Sequence, residues 1–169
     1  IKIKKLKQPF YSLEDLQFRT LRNEYLSNND YKIIMNKLFK EKNFIPKKYY
    51  KKLFMSKKNL IHLDKLGHEI GLHSFSHPTV LSKLSYPNQF NEYRKNLKII
   101  SKILKKKNYE INSMSHPCGS YNTNTVKVLN KIGINVGFKN IMGKVKKVND
   151  INNFLEIPRQ NHSDILTRL

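Results

Sequence analysis

Residues 63–85 read LDKLGHEIGLHSFSHPTVLSKLS, and the reading of this stretch decides the fold. Just upstream, Lys57 to Leu66 has the spacing of a short helix, and Gly67 is placed to stop it. Then the period changes. From Glu69 to His73, Ile70 and Leu72 alternate with their neighbours over a run too short for a helix, which predicts a buried strand. His73 falls at its C-terminal end, and His77 follows four residues later, with Ser74 and Ser76 between them and Pro78 directly after. A neutral imidazole is a good ligand for zinc or a similar divalent ion, but catalytic zinc sites use three protein ligands, so two histidines are not a complete site. The same spacing suits one buried, hydrogen-bonded histidine and one in solvent, with Ser74 or Ser76 serving as a helix cap.

Outward from this stretch the chain alternates helix and strand. A long amphipathic helix is predicted from about Pro87 to Lys107, carried by Phe90, Tyr93, Leu97, Ile100, Ile103 and Leu104. Next come a strand from Ile111, a loop HPCGSYN, a helix from Thr123 to Ile132, a strand from Ile134 and a strand from Phe154. This order is that of parallel βαβ units, an α/β fold. In such sheets the chemistry sits at the C-terminal strand ends, where both unusual loops lie, after Leu72 and after Ser115. Toward the N-terminus the pattern is helical: Ser12 to Leu26 opening on a capping box with Asp15, Asp30 to about Lys42, and Lys47 to about Met55 after Pro46.

Composition bounds the function. The chain has 169 residues, enough for one domain with a real core, and no apolar run approaches the roughly 20 residues a membrane span requires. It begins at Ile1, as a processed product or a partial reading of a longer gene would, which leaves room for a signal peptide upstream. Cys118 is the single cysteine, so no internal disulfide can form and the redox compartment stays open, as does the choice between cytoplasm and cell envelope. A net charge of +21 raises the question of nucleic acid. Lysine outnumbers arginine 28 to 5 and alanine is absent, which is what codon drift in an AT-rich genome produces. A surface built for phosphate favours the bidentate guanidinium, and the aromatics here form no stacking platform, so no nucleic-acid partner is expected.

The stretch from Leu63 to Ser85 closely resembles the second signature of the polysaccharide deacetylases, the NodB-like carbohydrate esterase family four, in which His-Ser/Thr-x-x-His supplies two metal ligands. SMSHPCGSYNTNTVKVLNKIGINVGF, from Ser113 to Phe138, resembles the family's third signature, usually Tyr-Pro-Tyr-Gly-x-Tyr-Asn followed by a helix, and LEIPRQN from Leu155 resembles its late Ile-Pro-Arg strand. The resemblance implies a distorted (β/α) barrel and a hydrolase that removes acetyl groups from N- or O-acetylated sugars of a cell-surface polysaccharide. It implies that His73 and His77 bind a divalent metal, zinc foremost. The Pro117-Cys118-Gly119 loop would lie beside the metal, with the Cys118 backbone N–H as oxyanion donor and His116, Pro117, Gly119 and Tyr121 facing the sugar. Because a backbone N–H is indifferent to its side chain, cysteine in place of the usual tyrosine keeps the donor and loses an aromatic wall.

The departures are as specific as the matches. The family's Thr-Phe-Asp-Asp-Gly motif brings the catalytic base and a third metal ligand, and no Asp-Asp pair occurs in this sequence. Asp15, Asp30 and Asp64, the only aspartates before His73, fall in predicted helices or their caps. The arginine that many members place two residues before the motif proline is Ser115 here, and the resemblance to the Ile-Pro-Arg branch suggests that Arg159 takes over part of its role. The histidine acid of a Leu-x-His motif is missing from the C-terminus, and His162 matches it poorly. A permuted branch of the family carries that histidine near the N-terminus, before the Asp-Asp strand, so residues 1–169 are expected to be one partial deacetylase domain lacking its first strands and exposing a sheet edge. Residues 10–55 would be a helical insertion within it. The rival expectation is a carbohydrate-binding remnant that keeps the fold without base and acid.

Overall fold

The βαβ pattern read from the sequence appears as three parallel strands, the first two of them joined through a helix. The structure is a computed structural model that describes residues 11–142 and 154–159; Phe10 and His162 lie outside them. The chain divides into two compact units, Ile1–Phe54 and Met55–Leu169.

The described residues of the first unit are mainly helical. Helix α1 spans Leu13–Thr20 with Ser12 as its cap, the Ser12 hydroxyl accepting from the Asp15 N–H, and the chain continues through one π-turn at Leu21–Tyr25. Helix α2 spans Asn28–Glu41, capped in the same way by Ser27. The helix expected from Lys47 to Met55 is instead a 3₁₀ turn at Pro46–Lys48 and a single α-turn, α3, at Tyr50–Leu53.

The second unit carries the sheet. Helix α4 (Lys57–Lys65) opens on a capping box between Ser56 and Asn59 and is closed by Gly67 at φ 87°, a backbone conformation that glycine adopts without strain. Helix α5 (Tyr86–Leu104) is followed by β1 (Ser113–Ser115), α6 (Thr123–Lys131), β2 (Val136–Met142) and β3 (Ile157–Arg159). The sheet order is β1-β2-β3, with Met114 opposite Gly137 and Phe138 opposite Ile157, and β2 bulges before Met142 pairs Arg159. At Gly137 an added Cβ would lie 2.5 Å from the Leu155 carbonyl oxygen, so only glycine fits.

Three strands are shorter than the sequence predicts. The segment Glu69–His73 contributes one parallel bridge, Leu72 to Met114, with Leu72 N–H donating to Ser113 O and Ser115 N–H to Leu72 O, both at 2.9 Å. Pairing stops there because Ser74 turns into the left-handed region, φ 63°. Ile111 enters the core ahead of β1, and Phe154–Glu156 forms a 3₁₀ turn ahead of β3. Leu72, Met114, Val128, Leu129, Ile134 and Leu155 form the core over which Tyr93 and Leu97 of α5 pack. Between the helices, buried Gln89 donates to Leu84 O and accepts the Thr125 hydroxyl at 2.6 Å, so that polar side chain is satisfied.

Tyr93 is fully buried, and its hydroxyl has no partner among the described residues. Burial first, and the Glu92 charge second, push its pKa up, so it remains neutral. An unpaired buried hydroxyl costs roughly 1–3 kcal/mol, so Tyr93→Phe should leave stability unchanged or raise it, whereas Tyr93→Ala should cost roughly 3–5 kcal/mol. Urea denaturation of both variants reads this directly. A Phe variant as destabilised as the Ala variant would mean that the hydroxyl has a partner.

Candidate metal centre

Leu72's single bridge sets His73 at the C-terminal edge of the sheet, beside Ser115. The His73 ring nitrogen Nδ1 lies 2.7 Å from the Ser115 carbonyl oxygen. A carbonyl only accepts, so Nδ1 carries the proton and Nε2 presents its lone pair. That Nε2 lies 3.1 Å from Nε2 of His77. The backbone bends to bring them together, with Ser74 at φ 63° and His77 at φ 53°, and the Ser74 hydroxyl accepts the His77 N–H at 3.2 Å. Two imidazoles bound to zinc at 2.0–2.1 Å with tetrahedral angles place their nitrogens about 3.3 Å apart, so the pair fits one ion. Neither histidine is buried, and no third histidine, cysteine or carboxylate completes a ligand group among the described residues.

The loop after β1 begins at the same edge. His116 N–H donates to Phe138 O, and Pro117–Gly119 forms one 3₁₀ turn closed by Gly119 N–H to His116 O and Ser120 N–H to Pro117 O. Cys118 is exposed, with φ 52°, and its backbone N–H meets no acceptor among the described residues. Gly119, at φ 69°, sits where a Cβ would come within 3.0 Å of the Asn140 Cβ. The Asn140 amide oxygen accepts from Arg159 Nη2 at 2.9 Å, which ties the guanidinium to the strand facing this loop.

His116 and Pro117, expected to face the sugar, are both buried. The His116 ring is 1% exposed and donates from Nε2 to Leu155 O at 2.8 Å, bracing the loop against the turn before β3. Burial holds its pKa below the usual histidine range, so it is neutral, and its Nδ1 has no partner among the described residues. Tyr121 stacks on His116, ring centroids 4.3 Å apart, and its hydroxyl donates to the Glu156 carboxylate at 2.8 Å. Its pKa is pushed up to about 12, by burial first and by Glu156 second. Tyr121 and Glu156 line one wall of a cavity of about 540 Å³ with Asn122, Thr123, Val126 and Lys127.

The family model of the polysaccharide deacetylases matches residues 26–137, well over half of the chain. The chain belongs to the polysaccharide deacetylase family. Solved deacetylases share its fold at low identity. The Streptococcus pyogenes deacetylase PplD, in complex with acetate, superposes with a TM-score of 0.55 at 18% identity, over 67% of this chain and 50% of PplD. The BpsB deacetylase domain from Bordetella bronchiseptica gives 0.53 at 19% identity over 63% and 48% of the two chains. A de-N-acetylase from Aggregatibacter actinomycetemcomitans gives 0.52 at 17% identity over 69% and 54%. The chain thus spans about half the length of these structures. The comparison with curated proteins finds no match.

In this deacetylase-family chain, three polar residues at the site were missed in the sequence. Glu92 accepts from the backbone N–H groups of Phe75 and Ser76, Asn96 accepts from the N–H of His73, and Asn140 holds Arg159. The available signal was Glu92 and Asn96 one turn apart, beside the buried stripe of Tyr93 and Leu97. Such a pair reads equally as a solvated face until the partner loop is placed.

Proposed function

We propose that this chain is part of a metal-dependent hydrolase that removes acetyl groups from N- or O-acetylated sugars of a cell-surface polysaccharide. The observation that carries the reading is the pair of Nε2 atoms of His73 and His77, 3.1 Å apart, with the His73 tautomer set by Ser115 O. These two nitrogens would hold a divalent ion, zinc foremost, whose contribution is Lewis acidity toward water and an acetyl carbonyl. The unengaged Cys118 N–H, at the loop that starts beside His73, suits the oxyanion donor, a role worth roughly 3 kcal/mol. Arg159, oriented by Asn140, supplies positive charge at the same loop, and Gly119 and Tyr121 are its partly exposed members available to the sugar. The described residues hold neither a third ligand beside this pair nor the family's Asp-Asp base, and residues 10–55 act as a helical insertion in the complete domain.

The missing Asp-Asp pair favours a second reading, a carbohydrate-binding remnant. Titration of an N-acetylglucosamine oligomer into the chain, with and without zinc, separates the two. Tighter binding with zinc is expected, because an incomplete ligand set leaves positions open to the acetyl carbonyl. Binding of equal strength without zinc supports the remnant, and no binding under either condition overturns both.

A further inference from the structure

The loop that joins the two imidazoles is held by one helix. Phe75 N–H and Ser76 N–H both donate to Glu92 Oε2, at 3.1 and 2.8 Å, and the Ser76 hydroxyl donates to Glu92 Oε1 at 2.8 Å. One turn further along α5, Asn96 Oδ1 accepts the His73 N–H at 2.9 Å. From the same helix the Lys95 ammonium lies 5.5 Å from the centre of the Phe75 ring.

This loop needs such a hold. Ser74 and His77 both occupy the left-handed region, which costs a residue with a Cβ roughly 1–2 kcal/mol. Apolar burial does little to offset that cost, since Phe75 at the loop's tip is 50% exposed. A carboxylate accepts at both oxygens, and its bonds to N–H and O–H groups are shorter and stronger than neutral ones. With all three donors of Phe75 and Ser76 engaged by one carboxylate, the backbone between His73 and His77 has a single way to run.

We propose that Glu92, assisted by Asn96, is the positioning residue of the metal centre, holding the bent loop so that His73 Nε2 and His77 Nε2 face one ion. The inference rests on the metal reading above. Glu92 touches neither imidazole in any contact seen here and acts through the backbone.

The test is zinc titration of the full 169-residue chain, wild type against Glu92→Ala, Glu92→Gln and His77→Ala, with amide hydrogen exchange at Phe75 and Ser76 and circular dichroism of each variant. Residues that orient a ligand typically change metal affinity by about 10–100-fold, so Glu92→Ala should weaken zinc binding at least about tenfold and speed exchange at both amides. Glu92→Gln should restore affinity to within a few-fold. Its amide oxygen can accept both N–H groups, and its NH₂ can donate to the Ser76 hydroxyl. If Glu92→Ala unfolds the chain, the glutamine variant carries the test, and a Gln variant that is folded yet binds zinc more than about tenfold more weakly overturns the clamp as described. Unchanged affinity and exchange in folded Glu92→Ala overturns the clamp alone. Zinc binding indifferent to His77→Ala overturns the metal reading, and the role of Glu92 with it.

Discussion

On the proposed metal reading, alanine at His73 or at His77 should abolish zinc binding by this chain. In the wild type the ion would meet two imidazoles and, among the described residues, no carboxylate to offset its charge. The surrounding field of +21 further disfavours a divalent cation. The expected wild-type affinity is therefore weak, with buffer anions or a neighbouring chain completing the shell. Removing one of two ligands leaves a single imidazole, no better than a histidine on any surface, so the titration should fall to background. Competition against a chromophoric chelator measures the loss without reference to any activity. Tight one-to-one binding that survives His77→Ala would move the metal elsewhere in the molecule. The prediction draws its force from the His73 tautomer, because the bond from Nδ1 to Ser115 O leaves Nε2 as the atom that presents its lone pair toward His77.

Acetate release by the 169-residue chain from an N-acetylated oligosaccharide should be at or near background. A positioned general base or acid contributes about 10²–10⁴-fold; the family's Asp-Asp pair does not occur in this sequence, and no Leu-x-His follows His73 toward the C-terminus. Nor does the described site offer a substitute. His116 is buried, its pKa is lowered by that burial, and its Nε2 is committed to Leu155 O; Glu92 is committed to the loop backbone. Oxyanion stabilisation by the Cys118 N–H alone is worth roughly 3 kcal/mol, too little to bring acetamide hydrolysis to an enzymatic rate. Release measured by a coupled acetate assay and abolished by His73→Ala would show that a base lies within these residues. The same assay on a longer chain that includes an Asp-Asp strand should recover turnover, and the difference between the two measures what that strand supplies.

Much of this protein is written in local sequence. Helix α5 follows from the spacing of Tyr93, Leu97 and Ile100, and the start of α4 from Ser56 and Asn59, because periodicity and capping involve residues three or four apart. The parallel pairing of β1 with β2 follows from the strand-helix-strand order, and the His73-Ser-Phe-Ser-His77 signature brings the paired imidazoles with it. Tertiary structure decided what depends on a partner far along the chain. His116 reads as a loop residue beside proline, yet the turn before β3, 39 residues on, covers it and accepts its hydrogen bond. The strand at Glu69–His73 shrinks to one bridge, past which the left-handed turn at Ser74 ends pairing with β1. Glu92 and Asn96 are polar residues on a helix until the loop 16 to 23 residues earlier is laid against them, and Arg159 gains its orientation only when β3 pairs β2 beside Asn140. A backbone donor finds its acceptor through space, and spacing along the chain carries no record of that distance.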